Sequence, residues 1–252
     1  MNVLDLFSGI GGFSLGLERA GMKTVAFCEI EAYPRAVLQK HWPEVPIWKD
    51  VRGLNATELR RAGVGRIDVI CGGFPCQDIS YAGEGAGLAG ARSGLWSEFA
   101  RLIGDLRPRF AVVENVAALL KRGMGDVLRD LARIGYDAEW STVSACSVGA
   151  PHVRRRVFIV AYPHSKHGWT GLWDSLAREG GSLQEIDGTP RARASWRAWM
   201  ENPSELYRGA DGVPFGMDRN RGIGNAIVSQ VPEIIGRAIM SLDQKTHKRR
   251  GE

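Results

Sequence analysis

The sequence predicts an α/β fold, a doubly wound and mostly parallel sheet, on three observations. Short apolar runs of β type alternate with amphipathic stretches as far as about residue 162. A glycine-rich turn follows the first of these runs directly, and apolar residues return at helical spacing in 223–242.

Taken in order, the apolar runs give strands at 2–7, 24–28, 47–48, 67–71, 110–114, 137–144 and 157–161. The amphipathic stretches between them give helices, notably at 12–20, 33–41, 95–106 and 124–134. Beyond residue 162 the pattern changes. Residues 163–218 are rich in Gly, Ser, Arg and Trp, with weak periodicity, as expected of a small loop-rich domain. In the last segment Ile227, Val231, Ile234, Ile235, Ala238 and Ile239 can share one helix face, so a final helix is expected to dock back on the sheet. The expected division is therefore 1–162 plus 219–252 as the main domain, with 163–218 inserted in it.

With 252 residues and 44% hydrophobic content, the chain can bury a sizeable core. No apolar run approaches the ~20 residues that cross a bilayer, and the chain opens on a strand-like Val3-Leu4-Asp5-Leu6-Phe7, so a cytoplasmic protein without membrane contact is expected. The four cysteines, Cys28, Cys71, Cys76 and Cys146, form no CxxC pair or zinc-type cluster, which argues against a disulfide framework or a metal site. A net charge of +5 favours a polyanionic partner. The basic run from Lys245 to Arg250 reads as a solvated, frayed tail.

Five segments carry chemistry. In the first, Asp5 to Phe13, a strand runs into Ser8-Gly9-Ile10-Gly11-Gly12, whose glycines let backbone approach a nucleotide-like ligand. Glu29 ends the second strand, placed to accept from ribose hydroxyls, and Asp50-Val51 follows the third, where a carboxylate could accept from an adenine amino group. A tight βα turn would explain the glycines alone; the ordered set favours a cofactor. The second, Gly72-Gly73-Phe74-Pro75-Cys76-Gln77-Asp78-Ile79-Ser80, sits at a carboxyl end of the sheet, where α/β ligand sites form. A cysteine between Pro75 and a polar loop is poorly placed for core packing, and as a nucleophile it needs nearby cations or a helix N-terminus.

In the third, a buried strand delivers Glu114-Asn115 to the same edge; a partly desolvated carboxyl there has a raised pKa and can donate a proton, although capping of a following helix competes as an explanation. In the fourth, residues 150–160, Arg154 and Arg156 alternate along a strand and share a direction, offering two cations to a thiolate, a base carbonyl or a phosphate; a solvated strand edge is the plain alternative. The fifth, Gly222 to Val231, opens the returning helix and places Asn225 and Ala226 toward the sheet edge, where a simple cap is also possible.

Together these segments, in this order, resemble the DNA cytosine-5 methyltransferase family: DLFSGIGGFSLGLE, GGFPCQDIS, ENV, RRRVFIVAY and GNAIVSQV, with Arg92-Ser93-Gly94-Leu95-Trp96 like the family's loop after the nucleophile. The resemblance covers 2–162 and 219 to about 240. It implies a Rossmann-like fold dependent on S-adenosylmethionine, with S-adenosylhomocysteine as product. It implies that Cys76 attacks carbon 6 of a flipped-out cytosine while Glu114 engages ring nitrogen 3, with Arg154 and Arg156 near the base and its sugar-phosphate. Phe7, Ser8, Gly9, Ile10, Gly11, Gly12, Glu29, Ile30, Asp50, Val51, Pro75, Leu95, Asn225 and Ala226 match cofactor positions, and Gln77, Ser80 and Asn115 match substrate positions. The family usually has Gln in place of His152 and Pro in place of Ser229. The insertion at 163–218 stands where the family has its target-recognition domain, and its shortness implies a site of few base pairs in double-stranded DNA. A monomer is expected, with a separately encoded restriction endonuclease as a possible partner. A transfer-RNA cytosine methyltransferase and a non-catalytic nucleic-acid-binding relative are the alternatives; a dehydrogenase is disfavoured because the first turn lacks GxGxxG spacing.

Overall fold

The computed structural model describes residues 1–75, 94–150, 153–164, 171–173 and 226–248. Seven strands form one sheet: β1 (Asn2–Leu6), β2 (Lys23–Cys28), β3 (Ile47–Trp48), β4 (Val69–Gly73), β5 (Phe110–Val116), β6 (Tyr136–Ser144) and β7 (Arg155–Pro163), in the order β3-β2-β1-β4-β5-β7-β6. The first five run parallel, and β7 is antiparallel to both β5 and β6. The order reverses between β1 and β4, so the carboxyl ends of these strands flank a crevice of the kind in which α/β proteins bind ligands.

The helices are α1 (Gly12–Arg19), α2 (Ala32–His41), α3 (Ala56–Arg61), α4 (Leu95–Leu106), α5 (Leu119–Arg122), α6 (Met124–Arg133) and α7 (Gln230–Lys248). Alternation along the buried strands sends successive side chains to opposite faces. Leu4, Leu6, Ile70, Ala111, Val113 and Ile159 pack with Leu59 of α3, Phe99 and Ile103 of α4 and Val127 and Leu131 of α6. Val3, Val69, Val112, Phe158 and Val160 pack on the other face with Phe13 and Leu17 of α1 and Val231, Ile235 and Ile239 of α7. Leu172, from the short described stretch 171–173, belongs to this second cluster.

The docking of α7 on α1 depends on glycine. A Cβ at Gly12 would lie 2.5 Å from the Ile227 side chain, one at Gly16 would collide with the Ser229 carbonyl, and one at Gly236 would lie 2.8 Å from the Ala20 methyl. The two helices meet nearly backbone to backbone.

Several boundaries differ from the sequence expectation. The last helix starts at Gln230, not 223, because Pro232 is tolerated only in a first turn and Gly222, Gly224 and Asn225 are poor helix formers. It then continues to Lys248, into the first part of the run expected to be a frayed tail. β7 extends two residues beyond each end of the expected 157–161, since the antiparallel partner β6 pairs with it from Arg155 to Pro163. The short α3 was not expected; Asn55 caps it, accepting from the Thr57 and Glu58 amides at 2.9 and 3.1 Å. No helix among the described residues is long and apolar enough to cross a membrane.

Candidate active site

β1 ends in a turn that an ordinary chain would avoid. Phe7 has φ 52°, Gly9 52° and Gly11 87°, and a non-glycine residue in the left-handed region costs roughly 1–2 kcal/mol, a strain that clusters at functional sites. The turn is held from below and from the side. Ser8 donates its hydroxyl to the Asp5 carbonyl at 2.7 Å, and the Gly9 amide donates to Glu29 Oε2 at 2.7 Å. Glu29 Oε1 accepts from the Glu31 amide at 2.8 Å, so one carboxylate fixes both the glycine turn and the β2–α2 connection. Its oxygens retain lone pairs for a further donor. Nothing lies within 4 Å of where a Gly9 Cβ would project.

Beneath the turn, Asp5 is fully buried and accepts from Ser14 Oγ at 2.7 Å. Burial pushes its carboxyl up to about 7, against the Ser14 hydrogen bond that lowers it. Burial likewise raises the Cys28 thiol to about 12 and the Cys71 thiol well above its ordinary value; with Cys146 also buried, these three are packing residues.

Glu114 stands near the end of β5, its side chain 15% exposed, with Oε1 2.8 Å from Arg156 Nε. Burial raises its pKa, while Arg156 and, more distantly, Arg154 pull it back. Gly73 makes room for it: a Cβ there would sit 2.6 Å from Glu114 Oε2. Asn115 donates its amide to the Phe74 carbonyl at 3.1 Å and accepts from the Val116 amide, tying the strand end to the loop that leads to Pro75.

One cavity of about 650 Å³ joins these parts. Phe7, Gly9, Glu29, Ile30, Asp50, Val51, Pro75 and Leu95 line one part, and Glu114, Asn115, Arg154 and Arg156 complete it. Of the remaining expected site residues, Ser8, Ile10, Gly11, Gly12 and Ala226 do not line it. Ser8 faces the β1 and β2 backbone. Gly11 and Gly12 serve close packing, since a Cβ at Gly11 would meet the Trp42 ring at 2.6 Å. Asp50 lines the cavity but also caps the turn after it, accepting from the Arg52 amide at 3.0 Å. Cys76, Gln77, Ser80, His152 and Asn225 lie outside the described residues.

Residues 1–178 match the family model of the C-5 cytosine-specific DNA methylases. The chain belongs to that family. Among its methylase relatives, it is 38% identical over 169 residues to Type II methyltransferase M2.BsuMI of Bacillus subtilis (strain 168), covering 64% of this chain and 42% of the relative. It is 37% identical over 165 residues to Type II methyltransferase M.Eco47II of Escherichia coli, covering 63% and 39%. The chain thus matches about two fifths of the length of these relatives. A solved Escherichia coli structure, of a prophage-encoded protein assigned as a DNA modification methyltransferase, superimposes with a TM-score of 0.57 at 31% identity, covering 66% of this chain and 47% of that one.

Supports of this site that the sequence reading missed lie behind its lining. Arg101 of α4 donates to the Val51 and Leu54 carbonyls at 3.1 and 2.9 Å, pinning the turn after Asp50. Phe7 stacks on Phe99, which stacks in turn on Trp96, and Trp96 packs on Phe74. This aromatic row joins the glycine turn to the loop before Pro75. No spacing in the sequence signals either, because each links elements far apart in the chain. Among the described residues no cluster of three His, Cys, Asp or Glu side chains could hold a metal.

Proposed function

We propose that the protein transfers a methyl group from S-adenosylmethionine to carbon 5 of a cytosine flipped out of double-stranded DNA, through a covalent adduct with Cys76. The observation that carries this reading is the single cavity that joins the glycine turn and Glu29 to the Glu114–Arg156 pair, with Pro75 on its wall.

The residues present suit the cofactor. The cavity has the size of a small-molecule site, Gly9 leaves open space for close backbone approach, and Glu29 keeps acceptor capacity. Ile30, 64% exposed on the rim, offers an apolar face to an aromatic ring. When bound, S-adenosylmethionine supplies a methyl group activated by its sulfonium.

The chain's own residues do the rest. The Cys76 thiolate adds to carbon 6, and the displaced electron pair accumulates at carbon 5 while Glu114 shares its proton with ring nitrogen 3. A raised pKa suits Glu114 to this, because it holds the proton that nitrogen 3 needs. Arg156 and Arg154 orient Glu114 and offer charge to the base carbonyl or its phosphate. Once carbon 5 carries the methyl group, loss of its proton returns the electron pair, the sulfur–carbon bond breaks, and Cys76 leaves as thiolate. Flipping costs roughly a few kcal/mol, which contacts from Gln77, Ser80 and Asn115 offset.

In this reading 1–162 with 219–252 is the catalytic unit and 163–218 reads the target sequence. The protein acts as a monomer, and a separately encoded restriction endonuclease is its cognate partner.

The test is incubation with S-adenosylmethionine and unmethylated genomic DNA, with 5-methylcytosine measured by nucleoside mass spectrometry. Wild type is expected to form product, while Cys76→Ser forms none yet still binds the cofactor by calorimetry. Product from Cys76→Ser would remove the covalent step. Product on transfer RNA alone would replace the substrate.

A further inference from the structure

Three apolar residues of the cavity wall, Phe7, Val51 and Leu95, come from separate parts of the chain, yet α4 holds them all. Leu95 is its first residue. Phe7 stacks on Phe99, with ring centroids 6.4 Å apart. Val51 is held by Arg101, whose Nη2 donates to the Val51 carbonyl at 3.1 Å and to the Leu54 carbonyl at 2.9 Å. The rest of the guanidinium is committed within α4: Nε lies 2.8 Å from Glu98 Oε2 and Nη1 3.1 Å from Asp105 Oδ2. A planar fork fixed by two carboxylates presents its remaining nitrogen in one direction.

The sheet itself gives Val51 little support. β3 is an edge strand and pairs with β2 at Ile47 and Trp48, so the ladder ends before Asp50. Asp50 caps the turn that follows by accepting from the Arg52 amide, which fixes the shape of the turn but not its distance from the cavity. Val51 and Leu54 are buried in the apolar cluster that contains Phe99, but apolar packing has no direction. The two bonds from Arg101 supply it.

We propose that Arg101 is a positioning residue for the cofactor: by tying the Asp50–Val51 turn to α4, it sets the width of the slot between Val51 and Leu95 that grips the flat adenine ring of S-adenosylmethionine. This rests on the reading of the cavity as the S-adenosylmethionine site. Arg101 itself does not line the cavity and acts through Val51.

The experiment measures by calorimetry the affinity of full-length wild type, Arg101→Lys and Arg101→Met for S-adenosylhomocysteine and for adenosine, and compares kcat with the KM for DNA. Lysine keeps a charge beside Glu98 and Asp105 but lacks the fork that reaches two carbonyls. Arg101→Lys is expected to weaken S-adenosylhomocysteine on the order of tenfold and adenosine by the same factor, with kcat at saturating cofactor and the KM for DNA within about twofold. Arg101→Met is expected to lose more; should it fail to fold, Arg101→Lys decides alone. Unchanged affinity for both ligands overturns the proposal. So does a loss for S-adenosylhomocysteine that adenosine does not share, since the fault then lies outside the slot. A parallel fall in kcat and rise in the KM for DNA also overturns it, because that marks general destabilisation. Wild type that binds S-adenosylhomocysteine but forms no 5-methylcytosine brings down the functional reading, while the calorimetry still decides this proposal. Wild type that binds neither ligand overturns both.

Discussion

Asp5 places a carboxyl in the middle of the sheet, wholly removed from water, with Oδ2 bonded to Ser14 and the Cys71 thiol beside it. Its pKa of about 7, against 3.8 for an unburied aspartate, means that the folded protein keeps a proton which the unfolded chain releases. A carboxyl raised in this way contributes stability that is present below pH 3.8 and lost as the pH climbs to about 7, and the rise corresponds to ~4 kcal/mol in all. Asparagine has nearly the same shape, can accept from Ser14, and does not titrate. Asp5→Asn should therefore gain on wild type by ~1.4 kcal/mol for each pH unit between roughly 4 and 7, and by nothing further above that. The assay is urea unfolding of both proteins at pH 5, 6, 7 and 8, followed by tryptophan fluorescence. Taking the difference between the two at each pH removes every titration they share. A difference that stays constant from pH 5 to 7 would refute the reasoning and show Asp5 ionised in the folded state. Because Ser8 also hangs from the Asp5 carbonyl, cofactor affinity in the variant reports whether the turn has kept its shape.

Two other predictions concern the site and its substrate. Removing Arg156 takes away the stronger of the two cations that lower the Glu114 pKa, so in Arg156→Ala Glu114 holds its proton to higher pH. The alkaline limb of kcat/KM against pH should move upward while the maximum falls on the order of 100-fold; a limb that stays put or moves down would separate Glu114 from the pH dependence. DNA affinity should drop by about 10³-fold between roughly 50 and 200 mM salt, as about six phosphate contacts require. A flat profile in filter binding or anisotropy would exclude the DNA backbone as the principal contact.

The parts of the molecule that were legible in the sequence are those where one short-range pattern decides the outcome. The β5 run Phe110–Val116 and helix α4 (Leu95–Leu106) are buried or amphipathic enough to leave no second choice. Glu114 and Arg156 were each legible as site residues from their strands, but their pairing was not, since it depends on β5 and β7 lying side by side. Glu29 was legible as a site residue but its grip on the Gly9 amide was not, since that bond joins two turns twenty residues apart. Ser8 and Gly12 illustrate the opposite case. Both lie in a motif that suggests ligand contact, yet the hydroxyl of one is engaged by backbone and the missing side chain of the other admits Ile227. Arg101 carries no local signal, because the carbonyls it holds are set by the fold and not by spacing.

The close seating of α7 on α1 has a consequence for the length of chain that precedes it. Leu172 on one side and Val231 and Ile235 on the other are buried in the same apolar cluster, so the chain is anchored to one body both before and after residues 174–225. Closing such an excursion costs entropy that grows only with the logarithm of its length, about 0.6 kcal/mol for each doubling. Changes in the number of residues between the two anchors are therefore expected to cost little in loop-closure entropy.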